Sequence, residues 1–175
     1  MTSAIFGIAT SRQQAERVVL DLRESGFSSN DISVLFPDAA GTRDFAHEKN
    51  TKAPEGAATG ATAGGALGAG LGWLAGIGAL AIPGLGPFIA AGPIMAALGG
   101  AAVGATVGGA SGALIGLGMP ELEAKQYESK LRKGNILLSV HAEDGDDKDR
   151  AKAIFEANAL EDIAVGGEAS APKRR

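Results

Sequence analysis

GAATGATAGGALGAGLGWLAGIGALAIPGLGPFIAAGPIMAALGGAAVGATVGGASGALIGLGMP, residues Gly56 to Pro120, decides how the whole chain is read. These 65 residues carry no Asp, Glu, Lys, Arg or His, and they hold 20 of the 27 glycines. Every charge in the 175-residue chain lies outside them. Glycines recur at 60, 64, 68, 72 and 76, and again at 100, 104, 108, 112 and 116. Residues four apart share one face of an α-helix. Each run therefore predicts a flat strip without side chains, of the kind that lets a second backbone approach closely. The expected packing residues are Gly60, Gly64, Gly68, Gly72 and Gly76 on one arm, with Gly100, Gly104, Gly108, Gly112 and Gly116 on the other.

Pro83, Gly84, Gly86, Pro87 and Pro93 separate the two runs. Proline breaks a helix interior, so these residues are expected to form the turn of a helical hairpin. Each arm, roughly 60–82 and 94–118, is about 35 Å long at 1.5 Å per residue, against a bilayer core of about 30 Å. An uncharged tip containing Leu85, Phe88 and Ile89 could enter a membrane from one side. The insertion signal is weak, because the strong insertion residues of the first arm contribute only about −3 kcal/mol and glycine offsets part of it. Trp73 sits mid-arm, away from an interfacial belt. A membrane-embedded hairpin, a soluble hairpin inside an oligomer and a flexible linker all remain open at this point.

Working outward, residues 4–9 read as a strand and are followed by a helix. Ser11 is placed to cap it, with Gln14 completing a capping box. Ala15, Val18, Val19 and Leu22 make one apolar stripe. Gly26 ends the helix, with Phe27 folding back on its last turn. Ile32, Val34 and Phe36 lie on a second strand that stops at Pro37-Asp38. A near copy closes the chain: a strand over 136–140, a helix over 147–158 and a short strand over 162–165. Two βαβ halves predict an α+β fold, a ferredoxin-like split βαβ sandwich, with the helical hairpin inserted. The expected organisation is a discontinuous domain over 1–38 plus 121–167, a polar linker over 39–55, the hairpin over 56–120 and a basic tail over 168–175. A charged helix starts at Pro120, favoured in a first turn, and ends near Gly134. Removing Gly56 to Pro120 is expected to leave a folded domain.

The chemistry-bearing patterns are sparse. Gly70-x-Gly72-x-x-Ala75 follows no strand and lacks the acidic residue that a dinucleotide fingerprint requires. The insert has no lysine for a P-loop. Counting an EF-hand from Asp144 places Asp149 and Phe155 where glycine and glutamate belong. Asp144, Asp146, Asp147 and Asp149 thus read as an acidic helix start. His47 and His141 read as surface histidines. A net charge of −4 gives no reason to expect nucleic acid. With no cysteine, disulfides and thiol catalysis are excluded. No secretory signal is evident, because Ser11, Arg12, Gln13 and Gln14 interrupt the first apolar stretch. No catalytic, cofactor or metal site is expected.

The opening Ala4-Ile5-Phe6-Gly7-Ile8, then Gln14-Ala15-Glu16, Leu22 to Phe27 and Asp31 to Leu35, resembles the bacterial general stress protein family of the YflT type. The central zipper is similar to glycine-zipper segments of low-temperature-induced stress proteins. The resemblance implies a stress-linked, non-enzymatic bacterial protein and carries over no catalytic residue. The expected partners are the lipid bilayer and further copies of the chain. The expected location is the cytoplasmic membrane with the soluble domain on the cytoplasmic side. A soluble self-assembling protein, or a regulatory module binding a small ligand on an open sheet face, are the alternatives.

Overall fold

The computed structural model describes residues 3–38, 74, 78–82, 85–94, 109–116 and 118–167. The protein is α+β. The strands are β1 (Ser3–Ala9), β2 (Ile32–Pro37), β3 (Gly78–Ile82), β4 (Gly86–Ala91), β5 (Ile136–Ala142) and β6 (Glu161–Gly167). The helices are α1 (Arg12–Glu24), α2 (Gly109–Gly116), α3 (Glu121–Arg132) and α4 (Gly145–Ala157). The six strands form one sheet in the order β3-β4-β2-β5-β1-β6. Every strand pairing among the described residues is antiparallel. Strands β1 and β2 therefore run parallel to each other on either side of β5, joined by α1.

The helix caps form, but the expected capping box closes on one side only, because the Gln14 side-chain oxygen accepts from the Thr10 N–H and not from that of Ser11. The Ser11 side chain accepts from the Gln14 backbone N–H at 3.2 Å. Asp144 does the same for α4, accepting from Asp147 at 2.8 Å. Gly26 takes φ +93°, and the Phe27 N–H reaches back to the Leu22 carbonyl at 3.1 Å. The second half repeats this exit with Ala159 at φ +54° and Leu160 N–H on the Phe155 carbonyl at 3.0 Å. The repeat is thus a repeat of backbone geometry, not only of pattern.

Both faces of the sheet are covered. On one, Ile5, Val34, Leu138 and Val140 pack against Val18, Val19 and Leu22 of α1 and Phe155 of α4. On the other, Phe6, Ile8, Leu35 and Leu137 pack against Ala110 and Leu114 of α2 and Ala124, Tyr127 and Leu131 of α3.

The helical reading of the insert fails at its centre. Residues 78–82, expected at the end of a helical arm, are strand β3. Gly86 and Pro87, expected in a helical turn, lie in β4, and Pro93 follows it. Pro83 and Gly84 lie outside the described residues. The cause is the edge of β2, whose backbone groups need partners. Strand β4 supplies them, Val34 to Pro37 pairing with Ala91 to Phe88. The Leu85 N–H on the Ile82 carbonyl at 3.0 Å closes the step between β3 and β4, the bond of a β-turn. A further correction concerns domain boundaries. Ile82, Phe88, Ala90, Ile94, Leu114 and Met119, all within 56–120, share one core cluster with Phe6, Ile8, Leu35 and Leu137 of the flanking segments. Among the described residues no helix is long and apolar enough to cross a membrane.

Candidate functional site

The glycine-rich segment is seated by three devices. Gly92 turns the chain off β4 at φ +78°, where an added Cβ would stand 2.0 Å from the Ile32 carbonyl oxygen. Next, the Ile94 N–H donates to the buried Ser33 Oγ at 3.1 Å, fixing the exit over β2. The chain then returns as α2, whose Ala110 and Leu114 are fully buried. Gly118 at φ +91° ends α2, with the Met119 N–H on the Leu114 carbonyl at 3.1 Å.

Helix α3 holds α2 in place. Glu128 of α3 accepts from the Ser111 N–H at 3.3 Å and from Arg132 at 2.8 Å. Burial acts to raise the Glu128 pKa, but these hydrogen bonds outweigh it and leave the carboxyl below its ordinary range. Tyr127, also on α3, is buried edge-on against Phe6 and donates its hydroxyl to the Asp162 carbonyl. Burial pushes its pKa well up, and the nearby Asp162 and Glu123 charges add to the effect. Lys130 bridges Glu161 at 2.5 Å and Asp162 at 2.7 Å.

Of the expected packing glycines, Gly60, Gly64, Gly68, Gly72, Gly76, Gly100, Gly104 and Gly108 lie outside the described residues. Gly112 and Gly116 are on α2, as the second strip requires. Gly112 is half-buried, whereas Gly116 is exposed and an added Cβ there would meet nothing within 4 Å. Beside it Ile115 is 42% exposed, although α2 is otherwise anchored by its apolar residues. The strip thus points partly outward from its own chain.

One residue beside the first glycine run and part of the second run are described, and they lie on different faces of the sheet. Leu74, between Gly72 and Gly76, is buried in the cluster under α1 and α4 with Phe36 and Ala91. Ala110 and Leu114, in the second run, are in the cluster on the opposite face. The sheet stands between them. Whether the two glycine strips pair lies outside the described residues.

A cavity of about 50 Å³ is lined by Ala4, Phe6, Asp31, Ser33, Pro93, Ser139 and His141. Pockets for drug-sized ligands run from about 300 Å³ upward, so this one is of water size. The backbone N–H of His141, one of the lining residues, donates to the Asp31 carbonyl at 2.8 Å. His47 is outside the described residues. Neither Gly92 nor the buried Ser33 hydroxyl was singled out by motif spacing. The signal that could have found Gly92 is its place between an apolar strand and Pro93.

No family model, no curated protein and no solved structure matches the chain.

Proposed function

We propose that the chain is a non-enzymatic stress-response protein of bacteria that self-associates through its glycine-rich segment and attaches to a membrane from the cytoplasmic side. The observation that carries this reading is the open strip on α2. Gly116 is exposed, an added Cβ there would meet nothing within 4 Å, and Ile115 beside it is exposed, in a 65-residue stretch without charge. A small exposed residue at the end of such a strip suits close approach by another helix. The stress link rests on the family resemblance.

The fold shapes the mode of attachment. Strands β2 and β3 belong to one sheet, so the chain between them leaves and returns to the same side. Two crossings need about 40 residues at about 20 each, more than the uncharged residues 56–77 provide. Attachment is therefore shallow or re-entrant, without a span. We also read β1-α1-β2 and β5-α4-β6 as a ferredoxin-like pair of split βαβ units, extended past β2 by the β3-β4 hairpin.

Vesicle flotation with the full chain tests the reading. Purified without detergent, the protein should float with vesicles of anionic and zwitterionic phospholipid and give crosslinked oligomers. Shallow attachment predicts release by a carbonate wash at high pH. A monodisperse monomer that neither floats nor crosslinks overturns the proposal. Oligomers that never float favour the soluble self-assembling reading, which the burial of Phe88, Ile94 and Leu114 in the domain core already supports.

A further inference from the structure

A polar patch interrupts the apolar face under α2 and α3. Strand side chains alternate between the two faces of a sheet, so Ser33 of β2 and Ser139 and His141 of β5 share the face of Phe6, Leu35 and Leu137. Ser33 stands directly opposite Ser139. One step beyond the Ile32–Val140 pair, Asp31 stands opposite His141, whose backbone N–H donates to the Asp31 carbonyl. All four line the cavity of about 50 Å³, beside Ala4, Phe6 and Pro93.

Ser139 is only 7% exposed, and its hydroxyl forms no hydrogen bond among the described residues. A buried hydroxyl without a partner is costly and calls for an explanation. Among the described residues no fully enclosed side-chain nitrogen or oxygen lacks a hydrogen bond. The Ser139 oxygen is therefore not sealed in; it opens on the cavity that Ser139 lines. The Ser33 Oγ is held in place by the Ile94 N–H.

We propose that this cavity binds a late first-row divalent metal cation, of the zinc or nickel class, through the Asp31 carboxylate and the His141 imidazole, with the Ser139 hydroxyl and water completing the shell. The lining holds a carboxylate and neither lysine nor arginine, which suits a cation and not an anion. Imidazole beside carboxylate suits zinc, nickel or copper, whereas magnesium and calcium take oxygen ligands. Directly opposite cross-strand residues have Cβ atoms about 4.5–5.5 Å apart, close enough for one ion to lie about 2.0–2.2 Å from a donor on each. The volume admits an ion with a few waters and no drug-sized molecule. Among the described residues no group of three or more His, Cys, Asp or Glu could hold a metal. The site thus lacks the four protein ligands of a closed structural centre and keeps exchangeable water on the ion. Metal binding here is independent of the membrane attachment proposed above.

Calorimetric titration of the full chain, first stripped with a chelator, tests this with Ni²⁺ and Zn²⁺ as probes. One ion should bind per chain. His141→Ala and Asp31→Asn should each abolish binding, while Ser139→Ala, which keeps both charged-group ligands, should weaken it about tenfold. The chain has two histidines, so His47→Ala is the control and should leave the affinity unchanged. Circular dichroism of the metal-free variants checks that each is folded. The unsubstituted protein gives a second readout, because paramagnetic Ni²⁺ should broaden the His141 imidazole proton signals before those of His47. No binding by the parent chain, binding that survives His141→Ala, or broadening of His47 alone overturns the proposal.

Discussion

The Gln14 side-chain amide donates to the Asn158 carbonyl at 2.8 Å, joining the start of α1 to the end of α4 across 144 residues of sequence. The same amide also reaches the Ala159 carbonyl at 2.9 Å, while its oxygen accepts from the Thr10 N–H at 2.8 Å. Asn158 returns the link by donating to Asp21 of α1 at 2.7 Å. One buried side chain therefore satisfies backbone groups of both βαβ halves.

Gln14→Leu keeps the apolar bulk but leaves those backbone groups without their partner. The expected loss is about 2–3 kcal/mol, the cost of unsatisfied buried polar groups. Ser11→Ala removes only a helix cap and should cost about 1 kcal/mol. Urea denaturation of the two variants measures the difference. A Gln14→Leu protein as stable as Ser11→Ala would show that the halves are not held together through this amide.

Tyr127 makes stability sensitive to alkali. Burial raises its folded-state pKa above the unfolded value of about 10. The folded chain thus keeps a proton that the unfolded chain releases, so this contribution is complete below about pH 10 and is lost as pH rises beyond it. Lys130, raised by its hydrogen bonds to Asp162 and Glu161, acts with the same sign. Tyr127→Phe isolates the tyrosine: it should cost about 1 kcal/mol at neutral pH and flatten the decline above pH 10. The chain has one tyrosine, so tyrosinate absorbance reports it alone. That signal should appear only with unfolding; a native protein ionising near pH 10 contradicts the account.

Gly92 tests whether the hairpin belongs to the core. Gly92→Ala puts a methyl group 2.0 Å from the Ile32 carbonyl oxygen at a positive φ, and a loss of about 3 kcal/mol or more is expected from strain and clash together. Gly26 has a similar φ with open space around it, so Gly26→Ala should cost about 1 kcal/mol. Deleting 56–120 should then fail to give a cooperative unfolding transition, since Leu35 and Leu137 lose their cover. Equal effects of the two alanines would mean that β3 and β4 are dispensable.

The outer parts of the chain were readable because each has one dominant local signal. Val18, Val19 and Leu22 share a helical stripe and are all fully buried; Gly26 and Phe27 mark the helix exit. The insert carried two signals in conflict. Four-residue glycine spacing is satisfied by a helix, and α2 contains its last two members. But Pro83-Gly84 is also the central pair favoured in a β-turn, and it joins two short apolar segments that can pair with each other. What decided between them was the unpaired edge of β2, a tertiary demand that no spacing within the insert expresses. The partners of Tyr127 and Gln14 were illegible for the same reason, since they lie 35 and 144 residues away.

The glycine strip itself is tested at Gly116, the member whose surroundings are on view. Gly116→Leu places a side chain where nothing stands within 4 Å, so the isolated fold has no clash to absorb. Glycine is about 1 kcal/mol below the good helix formers, and α2 should be unchanged or slightly steadier. If the exposed strip merely reflects a permissive surface, the variant should match the parent in every assay of association. If another helix lies against it, leucine holds the two backbones apart and the close contact is forfeited. The two accounts thus assign opposite results to one substitution. We expect the urea midpoint to hold and amine-crosslinked oligomers to fall severalfold, while vesicle flotation persists. Gly134→Ala is the control, since Gly134 also has open space but lies beyond α3, off the strip; it should lose stability through its positive φ and keep its crosslinking. Oligomers that survive Gly116→Leu at parental levels would remove α2 from the self-association surface.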